Sequence, residues 1–329
     1  MNHRPLSKVL IALAALSPLS FVHGAAFTLS TGAGDGGVTV GVDGYGAFGS
    51  SIGANATDAI YNPVGGGTPA GTSFESGVAI RFGSSGTRQF LTSGDIGGSG
   101  NLVNPTVTGT TTSGSSTFSI GGLNFTLTQT ITPLFVAAVQ TGSILTQSYS
   151  ITNPGNVAIP FELVRYLDGD LAFDGSIVDG GGRLIAGSGA EVLFETDTAA
   201  GTASSTTFVG ITAEGGTAPA TGRFEVDSFS DLRSRILAGN ALDDGIAGDS
   251  ADADQFIDVG NGYDVTLALN NIFSLGGGQS TTYTTSTIFG AGAPERVEVP
   301  TGVPDGGSTV VLLGAALGGL AWARRKMRA

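Results

Sequence analysis

Almost nothing between residues 25 and 303 has the three-to-four-residue spacing of an amphipathic helix. Short runs of Val, Ile, Phe, Tyr and Thr alternate there with clusters of Gly, Ser, Asn and Asp. Period-two runs broken by turn residues read as half-buried antiparallel strands, so the expected class is all-β, an antiparallel β-sandwich. The clearest strand candidates are 123–132, 143–152, 157–167, 190–195, 206–213, 222–229, 263–273 and 280–289, with weaker signals near 38–42, 78–82 and 101–108. Asn153-Pro154-Gly155-Asn156 is a strong turn sequence between two alternating runs, and it predicts a hairpin over 143–167. One helix is expected at 231–238, with Ser230 as its N-cap and Gly239 at its left-handed C-terminal position.

The ectodomain reads as 25–290, with the Gly/Ser/Thr-rich 25–116 as an elaboration of the same sandwich, followed by a linker at 291–302 carrying Pro294 and Pro300. The Gly65–Gly67, Gly180–Gly182 and Gly276–Gly278 triplets open no helix and carry no P-loop lysine, so they read as loop or turn glycines.

Both ends of the chain read as addresses rather than as structure. Residues 1–24 combine Arg4 and Lys8, an apolar run from Val9 to Val22, and small residues at Gly24, Ala25 and Ala26, which is the layout of a cleaved signal peptide. At the other end, Val303, Pro304, Asp305, Gly306 and Gly307 precede an apolar helix at 308–323 and a basic cluster of Arg324, Arg325, Lys326 and Arg328. Such a cluster stops a helix in a membrane with the C-terminus in the cytoplasm. The 15 uncharged residues from Thr309 to Ala323 give about 22 Å of helix against a hydrocarbon core of about 30 Å. That is short for a permanent anchor and suits a transient sorting helix, with a plain anchor or a core helix as the alternatives.

This tail resembles the PEP-CTERM class of bacterial sorting signals, and most closely its VPDSG-CTERM variant, with Gly306 where the variant's name has Ser. The resemblance covers less than a tenth of the chain. It implies recognition by an exosortase-type transpeptidase, cleavage near the motif, and export in a Gram-negative bacterium that makes extracellular polysaccharide. The protein would pass through the inner membrane on its C-terminal helix and end at the cell surface or in the extracellular matrix.

Between the two signals the residue inventory is narrow. The segment 25–303 has no His, Cys, Lys, Met or Trp. A Ser-His-Asp triad, a Cys-His pair, a Schiff-base lysine and His- or Cys-ligated zinc are therefore excluded. No disulfide can staple an exported domain of this composition. Eight arginines stand against 26 acidic residues in the segment, a net charge of −18. Such a surface repels nucleic acid and anionic lipid and favours cations, above all Ca²⁺, whose ligands are carboxylate and carbonyl oxygens.

Two clusters repeat the spacing D-x-D-x-x-x-D: Asp168, Asp170 and Asp174, and Asp252, Asp254 and Asp258. Carboxylates two apart in a loop can face one ion, with the third closing the ring, so both are candidate calcium sites; the bland alternative is solvated loop carboxylates. Neither is an EF-hand, because Phe173 and Ile257 stand where that loop needs glycine. Asp168, Asp170, Glu162 and Glu225 are the candidate members of a glycosidase acid pair. The inventory favours a non-enzymatic reading: a structural or adhesive surface protein associated with exopolysaccharide. A carbohydrate-binding module is the alternative, and a carboxylate-dependent glycoside hydrolase stands behind it.

Overall fold

The computed structural model describes residues 26–100, 102–185, 190–198 and 207–291. The expected signal peptide, the expected linker apart from Ala291, which ends a strand, and the whole sorting tail with its expected membrane helix lie outside the described residues. Among the described residues no helix is long and apolar enough to cross a membrane.

Seventeen strands and one helix are described. In chain order the strands are β1 (Phe27–Ser30), β2 (Val38–Val42), β3 (Ala59–Tyr61), β4 (Ala70–Gly71), β5 (Ser73–Phe82) and β6 (Gln89–Leu91). Then follow β7 (Thr108–Thr110), β8 (Ser113–Ile120), β9 (Leu123–Val136), β10 (Val139–Thr152), β11 (Ile159–Gly169) and β12 (Gly180–Ile185). The last are β13 (Glu191–Thr196), β14 (Thr207–Glu214), β15 (Phe224–Ser228), helix α1 (Phe229–Ala238), β16 (Val265–Leu275) and β17 (Ser280–Ala291). They form an eight-stranded sheet in the order β12-β13-β14-β17-β10-β9-β8-β7, a five-stranded sheet β15-β16-β11-β5-β6, and a four-stranded sheet β1-β2-β3-β4. Every pairing between these strands is antiparallel.

The period-two reading explains which way the side chains go. On β9 Leu123, Phe125, Leu127, Gln129 and Ile131 turn inward while the residues between them face out. On β11 Leu163, Arg165 and Leu167 enter the space between the two large sheets, and Val164 and Tyr166 pack on the opposite face beneath α1. One inter-sheet cluster joins Leu145, Leu193, Val209 and Phe289 to Leu167, Leu267 and Val226, with Val38, Val40 and Val42 of the four-stranded sheet closing it. A second joins Leu127, Tyr149 and Tyr283 to Phe161, Leu163 and Phe273. Each fully buried Leu, Val or Phe of these clusters contributes about 1.5–3 kcal/mol over its exposed state.

The expected hairpin over 143–167 is corrected by the structure. β10 pairs with β9 and β17, whereas β11 pairs with β16 and β5, so the Asn153 turn carries the chain from one sheet to the other. The β16–β17 connection makes the same crossing beside it. Buried Asn153 ties the two crossings together: its Nδ2 donates to the carbonyls of Val157 and Leu275, both at 2.8 Å, and its Oδ1 accepts the Gly155 N–H at 3.0 Å. Its N–H donates to the Gln279 carbonyl at 2.9 Å. The turn chemistry was legible; which strand it leads to depends on pairing partners more than a hundred residues away.

Two smaller expectations also change. Gly180–Gly182 form the start of β12 rather than a loop, because a Cβ on Gly182 would lie 2.4 Å from the Gln255 carbonyl, so only glycine admits the segment crossing over it. Helix α1 starts two residues early and its N-cap is Ser228, not Ser230, while Gly239 takes the expected left-handed conformation at φ 76°. Leu232 and Ile236, one turn apart, anchor the helix on Phe90, Tyr166 and Ala268 of the five-stranded sheet.

The β9–β10 hairpin turns through Ala137 and Ala138 at φ 48° and 68°, a left-handed pair that costs an L-residue with a Cβ about 1–2 kcal/mol each relative to glycine-compatible turns. Replacing them by Asn and Gly is expected to stabilise the fold by about 1–2 kcal/mol in total and to raise Tm by about 2–8 °C. Thermal melts of the double variant check this; an unchanged or lower Tm contradicts the turn assignment.

Candidate functional site

The ends of β5, β11 and β16 and the start of α1 meet around a cleft of about 200 Å³. Asp168, Asp170 and Asp264 line it together with Phe74, Ile177 and Phe229. Strand register puts them together: Asp168 pairs with Glu75 on β5 and with Thr266 on β16, two residues beyond Asp264, and a bulge between Asp168 and Gly169 turns the chain outward to Asp170. Phe74 and Phe229 meet edge to face with ring centroids 5.8 Å apart.

Asp168 is only 1% exposed, and neither of its carboxylate oxygens has a hydrogen-bond partner. Burial pushes its carboxyl up to about 9, and the neighbouring charges of Asp264 and Glu75 push in the same direction. Burial also raises Asp170, and it raises Asp264 with the Asp170 charge adding to it. The nearest guanidinium is already engaged: Arg233 Nη1 donates to both Glu75 oxygens, at 3.1 and 3.2 Å, and the group lies 3.9 Å over the Phe229 ring.

Behind the cleft lies a second set of acids. Asp179 and Glu195 are each 1% exposed and lie close enough to share a proton. Burial raises Glu195 well above the ordinary carboxyl range, the Asp179 charge adding to it, and burial raises Asp179 to about 7. Glu195 packs against Gly169, where a Cβ would collide with its carboxylate. Asp197 accepts the Phe173 N–H at 2.8 Å, and burial raises it too.

The structure thus divides the first D-x-D-x-x-x-D cluster. Asp168 and Asp170 share the cleft with Asp264, whereas Asp174 caps its own loop by accepting the Ser176 N–H at 2.9 Å and acts electrostatically on Asp179 and Asp197. The second cluster is divided as well. Asp252 and Asp254 lie with Asp249, their ligand oxygens within 4.8 Å of one another, while Asp258 turns into the loop to accept the N–H groups of Ser250 at 3.1 Å and Ala251 at 2.8 Å. Glu225, Asp227 and Asp243 form another close carboxylate group, in which Glu225 is fully buried and faces Arg235 Nε at 2.8 Å. Glu162 is held between Arg81 and Arg88 on the outer face of β11, away from the cleft. Sequence spacing pointed to Asp168 and Asp170 but missed Asp264 as their partner, and missed the Asp179–Glu195 pair. The only signal for Asp264 was its position at the head of an alternating run.

Residues 302–327 match the VPDSG-CTERM motif. The chain carries this exosortase-type sorting signal, and with it the mark of an exported, CTERM-sorted protein processed by a cognate exosortase-type enzyme. No curated protein matches the chain in sequence. Among solved structures it is similar to a polysaccharide lyase, at 11% identity over 79% of this chain and 33% of that one, with a TM-score of 0.39. It is also similar to a galactose mutarotase related enzyme from Lactobacillus acidophilus, at 10% identity over 83% of this chain and 100% of that one, with a TM-score of 0.36. The chain spans about a third of the length of the lyase.

The Asp179–Glu195 pair sets a pH dependence. An acid whose folded-state pKa is raised stabilises the fold below its unfolded pKa, near 4, and that stability is lost as pH rises through the folded value. With Asp179 at about 7 and Glu195 raised well above the ordinary range, the loss begins at about pH 4 and continues through about pH 7 and beyond. In chelator, Tm is expected to be higher at pH 5 than at pH 8, and Glu195→Gln, which mimics the protonated acid, is expected to flatten that difference. A slope unchanged by Glu195→Gln would place its origin in other raised acids, Asp168 first, or in the general negative charge.

Proposed function

We propose that this is a structural or adhesive protein of the surface or extracellular matrix of a Gram-negative bacterium, delivered through the inner membrane by an exosortase and associated with exopolysaccharide. The sorting motif at 302–327 carries the reading. The inventory of 25–303 supports a role without catalysis, since it offers no thiol, imidazole or amine for nucleophilic or general-base chemistry. The acidic surface suits a hydrated anionic matrix bridged by divalent cations better than direct contact with nucleic acid or anionic lipid.

A second reading, a carbohydrate-binding module, is favoured by one feature: the half-buried Phe74 and Phe229 line the same cleft as three carboxylates. Apolar rings for the faces of a sugar and carboxylates for its hydroxyls are what such a module needs.

Two experiments test the proposal. In a host with its exosortase intact, the recovered protein is expected to lack the tail from about Val303 onward; deletion of the exosortase, or Pro304→Ala with Asp305→Ala, is expected to leave a full-length form in the inner membrane. Full-length tail on the surface protein of the intact host contradicts the sorting reading. The released protein is expected to co-sediment with the host's polysaccharide without freeing reducing sugar. Sugar release abolished by one Asp or Glu substitution would replace this reading with a glycoside hydrolase.

A further inference from the structure

Two buried aspartates of this fold are treated in opposite ways. Asp43 is 1% exposed and surrounded by donors: the N–H groups of Tyr45 at 2.9 Å, Ala47 at 2.8 Å and Ser93 at 2.7 Å, with the Ser93 hydroxyl at 2.9 Å. Asp168 is equally buried and receives no hydrogen bond at all. A buried carboxylate left without donors or counter-charge is costly, by several kcal/mol in general, and a fold able to build the Asp43 nest has left this one facing a cleft. Asp170 and Asp264, half-buried in the lining of that cleft, likewise have no hydrogen-bond partner for their carboxylates among the described residues. What would satisfy all three is a cation, and among the described residues the guanidinium that acts on Asp168, that of Arg233, is committed to Glu75 and Phe229.

We propose that Asp168, Asp170 and Asp264 bind one Ca²⁺ ion in this cleft, with Asp168 as the buried anchor and Asp264, not Asp174, as the third carboxylate. Only oxygen donors are present, which selects a hard cation. The cleft is open on one side, so water can complete the six to eight ligands that Ca²⁺ accepts; Mg²⁺ demands a tighter octahedron and dehydrates reluctantly. In the unliganded geometry this set does not bring three oxygens within 4.8 Å of one another, as the Asp249, Asp252 and Asp254 set does. Binding therefore draws Asp170 and Asp264 inward by side-chain rotation, which their lack of hydrogen bonds leaves free. The Asp249 set, for its part, lies in an exposed loop and offers no fully buried carboxylate to anchor an ion. The ion would join the ends of β11 and β16 and the loop after β11, and it is independent of any polysaccharide the protein holds.

The test uses the full-length protein in mild detergent, stripped with EDTA and titrated with CaCl₂ by calorimetry and thermal melting, with MgCl₂ in parallel. Binding is expected at about 10⁻⁴–10⁻³ M, the range of extracellular calcium modules. At 10 mM Ca²⁺ Tm is expected to rise by about 3–11 °C, with a much smaller shift in Mg²⁺. Asp168→Asn should abolish the calcium shift and yet melt higher than the unsubstituted protein in EDTA, because an amide spares the fold the cost of burying or protonating an unpartnered carboxylate. Asp264→Asn, at a half-buried position, should weaken binding at least tenfold without lowering the EDTA melting point, and Asp174→Ala should bind as before. Equal shifts in the two salts, full binding by Asp264→Asn, or loss of binding in Asp174→Ala would each overturn the assignment.

Discussion

A shortage of cations governs this structure. The described residues hold seven arginines and no lysine or histidine, and the fold spends all but one of them on glutamates. Arg81 and Arg88 share Glu162, Arg183 and Arg223 share Glu191, Arg233 takes Glu75 and Arg235 takes Glu225. The glutamates so paired all lie on strands, where they fix side chains that would otherwise carry unpaired charge into packed faces. Aspartates at strand ends must be satisfied by backbone, by protons or by something from outside. Asp43 takes the first course and the Asp179–Glu195 pair the second, while Asp168, with neither a backbone donor nor a guanidinium, is left to a proton or to a cation from outside.

The seventh arginine does different work. Arg165 is fully buried, with no carboxylate partner, and spans the space between the two large sheets. Its Nη1 donates to the carbonyls of Gly77 at 2.9 Å and Tyr166 at 2.5 Å, and its Nη2 to the Ser76 hydroxyl at 2.8 Å and to Thr287 Oγ1 at 2.8 Å on the facing sheet. Burial lowers its pKa to about 10, still well above neutral pH, so the charge is retained inside. Together with Asn153, which joins the two sheet-to-sheet crossings, it fixes how one sheet lies on the other. A chain without disulfides needs such fixed polar contacts, since apolar packing alone tolerates sliding.

The strands were legible because each alternates apolar and polar residues over a stretch long enough to set its face, and each of the eight clear candidates overlaps a strand of the structure, although 222–229 runs on into α1 at Phe229. Short or glycine-rich strands were not, since β3, β4 and β12 carry little alternation and form because neighbours offer them an edge. The Asn153 turn shows a different limit: the same four residues serve a hairpin or a crossing, and β10 and β11 part company only because β17 and β16 pair with them from the far end of the chain. The candidate site was half legible for the same reason. Asp168 and Asp170 are two residues apart and visible as a pair, but Asp264 reaches them only through the β11–β16 register.

The proposed calcium site depends on an external cation completing what the fold leaves unpaired at Asp168. A crystal structure grown in millimolar CaCl₂, with an anomalous difference map, tests that directly. The predicted result is one peak in the cleft with oxygens of Asp168, Asp170 and Asp264 at about 2.3–2.6 Å. A map with no peak there, and Asp168 still without a partner on either oxygen, would contradict it.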